Sequence, residues 1–300
     1  MSFETLEKEV KELPREFEET GDTCYLLKDP ENADRESADV LADVIERIDF
    51  KALQNIFESI AAKSGIDPSK MNFVGPERFY DMTSMWDTLG RWNSEHNVIA
   101  LNGSALKRSA ERAGVDTELR VLSTLVHEEV HATSRYKSEI VKTQAGDREK
   151  ITTGYGKYRR GNRSKGLKGE VFFDLLNEGV VELLAREVLL EYIRTTDFTD
   201  SRKVKEFMEA HEQKPEEMSG YWLAIKFVDV LVDKVSVKTG TDRNSVWRSF
   251  VRGLYEGVDF ETKEFSQPFQ ELFGENFLQK LSKANFSKDI EALMKELETQ

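Results

Sequence analysis

The chain has a single cysteine, Cys24, in 300 residues. One thiol excludes an internal disulfide, so the fold must be held by its apolar core, and a chain of this length can bury one. Histidine is nearly as scarce, with only His96, His127, His131 and His211. No apolar run approaches the roughly 20 residues that a membrane-spanning helix needs, so no membrane association is expected. The opening stretch MSFETLEKEV has no basic patch followed by an apolar run, so no secretory signal is read and a cytoplasmic location is the expectation.

Positive charge is also in deficit: 43 Lys and Arg stand against 56 Asp and Glu, a net charge of −13. Residues 1–36 alone hold twelve acids and five bases. Nucleic-acid backbones are bound by clustered Lys and Arg, so a nucleic-acid partner is not expected.

Against this scarcity, two of the four histidines fall in register around a glutamate. Residues 122–131 read Leu-Ser-Thr-Leu-Val-His-Glu-Glu-Val-His, an H-E-x-x-H motif. Asp116 or Thr117 can cap a helix here, Glu118 suits its first turn, and neither Gly nor Pro interrupts before Arg135. On a helix, His127 and His131 share one face a turn apart and can chelate one ion. Glu128 then stands beside that ion, placed to take a proton from a water. The pattern outlines a metal-dependent hydrolase, with Zn2+ as the expected single ion.

A second stretch complements the first. From Glu170 to about Arg194 the chain reads as a helix apolar almost all round, yet Asp174, Glu178 and Glu182 recur on it every four residues. Buried carboxylates need a cation, donors or water beside them, and an ion on the histidine pair would supply the cation. Catalytic zinc usually takes three protein ligands and keeps a fourth position open. A metzincin would need Gly at 134 and His at 137, where this chain has Ser134 and Lys137, and that class is excluded. A glutamate is the remaining good candidate for the third ligand, with Glu178 and Glu149 both in view.

The rest of the chain divides into four stretches. Residues 1–36 form an acidic arm with a short helix over 3–13. Residues 37–136 form an α+β half: a long helix from Ser37 to about Lys63, a strand at 71–74, an irregular stretch over 77–90, a turn at 90–93 and a strand at 97–102. Residues 137–170, with six glycines and a locally basic run, read as a loop or a β-hairpin. Residues 171–300 are mainly helical, with a polar passage over 195–217 and two or three short closing helices. The fold class expected is α+β: a small mixed sheet with an active-site helix, then a mainly helical C-terminal half.

His127-Glu128-Glu129-Val130-His131 together with Leu176-Asn177-Glu178-Gly179 resembles the gluzincin metallopeptidases, the thermolysin-like and aminopeptidase-like group. The resemblance spans roughly residues 90–190 and implies a zincin-like fold and a peptide or protein substrate. It implies Glu178 as the third zinc ligand and Glu182, a turn later, as the residue bracing a metal histidine, with Asp174 on the same stripe. It also implies an edge strand that pairs with the substrate backbone, here Asn97, Val98, Ile99 and Ala100. A tyrosine donor to the reaction's oxyanion is implied as well: Tyr221 first, then Tyr155 or Tyr158. The 46 residues between His131 and Glu178 are a much longer spacer than those families have. Two other functions fit the same residues: a non-catalytic protein that binds a partner in a zincin cleft, and a hydrolase of non-peptide amides. Oligomeric state is left open.

Overall fold

The computed structural model describes residues 23–26, 36–83, 88–94, 96–143, 146–159, 169–258, 260, 262–284 and 287–299. The helix expected over residues 3–13 lies outside them. In chain order the described elements are β1 (Thr23–Leu26), α1 (Glu36–Arg47), α2 (Phe50–Lys63), β2 (Phe79–Thr83), β3 (Gly90–Asn93), β4 (Val98–Leu101), α3 (Gly103–Ala113) and α4 (Thr117–Thr133). Then follow β5 (Tyr136–Thr143), β6 (Gly146–Thr153), β7 (Gly156–Arg159), β8 (Glu170–Phe172), α5 (Asp174–Thr195), α6 (Ser201–Gln213) and the single turn α7 (Pro215–Met218). The chain ends through α8 (Trp222–Thr239), α9 (Arg243–Glu256), α10 (Lys263–Phe273), α11 (Glu275–Lys283) and α12 (Ser287–Thr299). The α+β class holds, with two small sheets and a helical C-terminal half.

The residues gather into two compact units, each discontinuous in sequence. The first draws on the chain up to Ile56, on Phe73–Ala132 and on Val188–Met218. Its sheet has the order β1-β2-β4-β3, with β2 and β4 parallel and the outer pairs antiparallel. Phe79, Tyr80, Ile99, Leu101, Leu122 and Leu125 are all but fully buried in this unit. The long helix expected from Ser37 is two helices. Asp49 breaks it by capping α2, its Oδ1 accepting from Ala52 N at 2.9 Å while its own N–H donates to the Tyr192 hydroxyl at 2.8 Å.

Other expectations for this unit are corrected. Residues 71–74 form no strand, and the strand lies instead at β2, inside the stretch read as irregular. The turn expected at 90–93 is strand β3. The polar passage after Thr195 contains α6, which Asp200 caps by accepting from Arg202 N and Lys203 N. Polarity hid that helix: it buries only Phe207 and His211 and carries ion pairs one turn apart, Arg202 with Glu206 and Lys205 with Glu209.

The second unit comprises Phe57–Asn72, Thr133–Glu187 and Ser219–Gln300. Its sheet is an antiparallel meander in the order β5-β6-β7-β8. Of the two readings of residues 137–170, the hairpin is the one realised, extended to four strands. Its expected basic residues are spread along it: Lys157 is buried, and Arg159 lies 3.6 Å from Glu170 and over the Phe172 ring. Arg160, Arg163, Lys165 and Lys168 lie outside the described residues. A chain of rings runs through the helices, Tyr155 on Phe260, Phe260 on Phe173 and Phe269, and Phe269 on Phe273. No described helix is long and apolar enough to cross a membrane.

Candidate metal centre

Helix α4 is helical through the whole H-E-x-x-H stretch, so the two histidines come out stacked as their spacing requires. The rings of His127 and His131 meet edge-on with centroids 4.9 Å apart. Glu178 lies in the second turn of α5 and is buried. One ligand atom from each of His127, His131 and Glu178 lies within 4.8 Å of the other two. Ligands on a tetrahedral zinc stand roughly 3.4 Å apart, given bonds of about 2.1 Å. Two imidazoles and one carboxylate are a donor set that zinc accepts, with room for a fourth ligand.

The neighbour of the third ligand explains the Asn-Glu pair. Asn177 is fully buried; its Nδ2 donates to Glu178 Oε1 at 3.2 Å and its Oδ1 accepts from Tyr155 N at 3.0 Å. One carboxylate oxygen of Glu178 is thereby steered by Asn177. The asparagine is in turn anchored to the β6–β7 turn, where Gly154 has φ +53° and an added Cβ would stand 2.6 Å from Asn177 Oδ1. Glu149, the competing ligand candidate, lies on β6 and accepts from Ser138 Oγ at 2.7 Å.

Glu128 is buried, and its Oε2 accepts from the backbone N–H of Trp92 at 2.7 Å. Asp174 accepts the Tyr158 hydroxyl at 2.7 Å. Burial, then the charges of Asp174 and Glu178, push the Tyr158 phenol far above its ordinary value, and Tyr221 adds to the effect. Tyr158 therefore stays protonated at any ordinary pH. Tyr221 stands at the N-cap of α8 with 44% of its surface exposed. The Tyr155 hydroxyl is buried and committed to Phe250 O at 2.9 Å, which removes it as a donor to a substrate. Glu182 is buried, and Arg186 Nε approaches it at 3.9 Å.

The expected substrate strand is corrected. β4 lies between β2 and β3 and all four of its residues are buried, so Val98, Ile99 and Ala100 present no free edge. Apolar side chains on both faces are the mark of an interior strand. Asn97 is a turn residue with φ 51°, a conformation Asn tolerates, and its Oδ1 accepts from Trp92 Nε1 at 3.2 Å. The edge strands of this sheet are β1 and β3, and β3 is the one whose main chain meets the H-E-x-x-H helix. Sequence reasoning missed Asn177 and the Trp92 amide. The first could have been suspected from its place beside Glu178; the second is a backbone group and leaves no mark in residue type.

Comparison of the chain with protein-family models, with curated proteins and with solved structures found no match.

Proposed function

We propose that this chain is a zinc-dependent peptidase of the gluzincin kind with a zincin-like fold. The observation that carries the reading is the convergence of His127, His131 and Glu178 on one point, with Glu128 adjacent in sequence and buried. His127 Nδ1 or Nε2, the matching nitrogen of His131 and a carboxylate oxygen of Glu178 would hold the ion. Bound zinc supplies a Lewis acid that polarises a carbonyl and acidifies water at neutral pH.

The protein's own groups do the rest. Glu128 accepts the proton of the attacking water and delivers it to the leaving amine. Tyr158 is assigned as the donor to the tetrahedral oxyanion: it lies within the field of Glu178, and its hydroxyl, which donates to Asp174, would turn from that carboxylate to the oxyanion. Tyr221, also in the field of Tyr158, is the more exposed of the two. A peptide or protein substrate would pair in extended form along the outer edge of β3. Glu182 would brace a metal histidine, as a carboxylate behind an imidazole commonly does.

The test is a peptide-library digest with zinc-loaded wild type, the same protein after chelation, and Glu128→Gln. Cleavage should vanish on chelation, return with zinc, and fall about 100- to 10,000-fold in Glu128→Gln. A zinc-loaded wild type that cuts no peptide would overturn the proposal.

A further inference from the structure

The ladder between β3 and β4 fixes where each β3 amide points. Asn102 N donates to Leu89 O at 2.9 Å, and the register pairs Gly90 with Leu101, Arg91 with Ala100 and Trp92 with Ile99. Hydrogen-bonded and non-hydrogen-bonded pairs alternate along an antiparallel ladder. Leu89, Arg91 and Asn93 therefore turn their main-chain groups toward β4, whereas Gly90 and Trp92 turn theirs to the outer edge. An amide on such an edge ordinarily goes to water or to an incoming strand. The Trp92 amide instead meets Glu128 Oε2 at 2.7 Å, at the short end of the N–H···O range.

Gly90 shows that the approach of β3 to Glu128 is built in. A Cβ at this position would stand 3.1 Å from both Cγ and Oε1 of Glu128 and 2.9 Å from Thr124 Cγ2. The strand can lie against this turn of α4 only because residue 90 has no side chain. Two turns of side chain on α4, Thr124 and Glu128, thus meet a strand edge shaped to receive them.

We propose that the backbone N–H of Trp92 is the positioning group of the general base: it pins Glu128 Oε2 so that Oε1 is the oxygen that takes and returns the proton. This rests on the peptidase reading above. It also means that an incoming peptide does not use the Trp92 N–H, because Glu128 already holds it.

Two variants separate the amide from the indole. Replacing residue 92 by its α-hydroxy acid, an amide-to-ester change, removes the N–H and keeps the ring, at the cost of a weaker acceptor at Arg91 O in the ladder to β4. Trp92→Pro removes the N–H and the ring, and proline is tolerated here because the lost donor is outside the ladder; Trp92→Ala is its control. The ester should keep wild-type zinc content and a KM within about twofold, while kcat falls about 10- to 100-fold, the worth of one hydrogen bond to a charged group. Trp92→Pro should show the same loss relative to Trp92→Ala. A second readout needs no zinc and no substrate: amide exchange at residue 92 in the metal-free protein should speed up at least tenfold in Glu128→Ala. An ester with wild-type kcat, a loss confined to KM, or unchanged exchange in Glu128→Ala would each overturn the positioning role while leaving the peptidase reading intact. A zinc-loaded wild type without cleavage would take both down.

Discussion

Tyr158 holds a proton in a place that makes ionisation costly. Its hydroxyl is half-buried, donates to Asp174, and lies in the negative field of Asp174 and Glu178. A phenol in such surroundings can give a hydrogen bond but cannot give up its proton, which suits it to a developing oxyanion. Tyr158→Phe should therefore lower kcat about 100-fold with zinc content unchanged, as loss of a single oxyanion donor does. Tyr155→Phe should leave kcat alone, since its hydroxyl is bound to Phe250 O, and should cost about 1 kcal/mol of stability in a denaturant titration. Equal activity of Tyr158→Phe and wild type would contradict the assignment. At this scale the sequence was readable where chemistry and spacing coincide: the histidine pair needs only a helix to be brought together. Tyr158 ranked behind Tyr221 and level with Tyr155, because its partners Asp174 and Glu178 lie across a sheet-to-helix connection whose geometry no local pattern carries.

Helices α5 and α8 approach each other through Gly179, the residue after the candidate ligand Glu178. A Cβ there would stand 2.6 Å from Ala224 O and 2.6 Å from Val228 Cγ2. Backbone cannot move aside as a flexible side chain does, so the glycine of the Asn-Glu-Gly run is explained by helix packing. Gly179→Ala gains about 1 kcal/mol of helix propensity but meets an overpacking cost of about 1–3 kcal/mol. A net loss of stability, seen as a lower Tm, is expected, together with weaker zinc binding as Glu178 shifts with its helix. A Gly179→Ala protein at least as stable as wild type, with zinc affinity intact, would contradict this packing. The elements that could be read in the sequence are those whose apolar residues repeat at helical spacing, such as α8 and α9. Those that could not be read lack that signal. β5 and β6 are largely polar strands that find their pairing in each other, and the expected substrate strand was placed at β4 because its apolar run drew attention away from the more polar β3 of equal length.

At the scale of the whole molecule, the candidate ligands come from parts of the chain separated by a 46-residue spacer, and only folding brings their ligand atoms within 4.8 Å of one another. That the third ligand belonged to a helix rather than to the nearer Glu149 could be argued from the rigidity a ligand needs, while the meander that fills the spacer could not be foreseen. An ion bound only by the folded chain stabilises it by mass action, about 2.7 kcal/mol at a free concentration 100 times its Kd. Zinc should accordingly raise the Tm of wild type, and chelation should return it. The most direct measurement is zinc stoichiometry by elemental mass spectrometry on purified, reconstituted wild type beside Glu178→Gln. Near one zinc per wild-type chain, falling steeply in the variant, is the predicted result. No zinc in wild type after reconstitution, or full zinc retained in Glu178→Gln, would contradict a centre built from His127, His131 and Glu178.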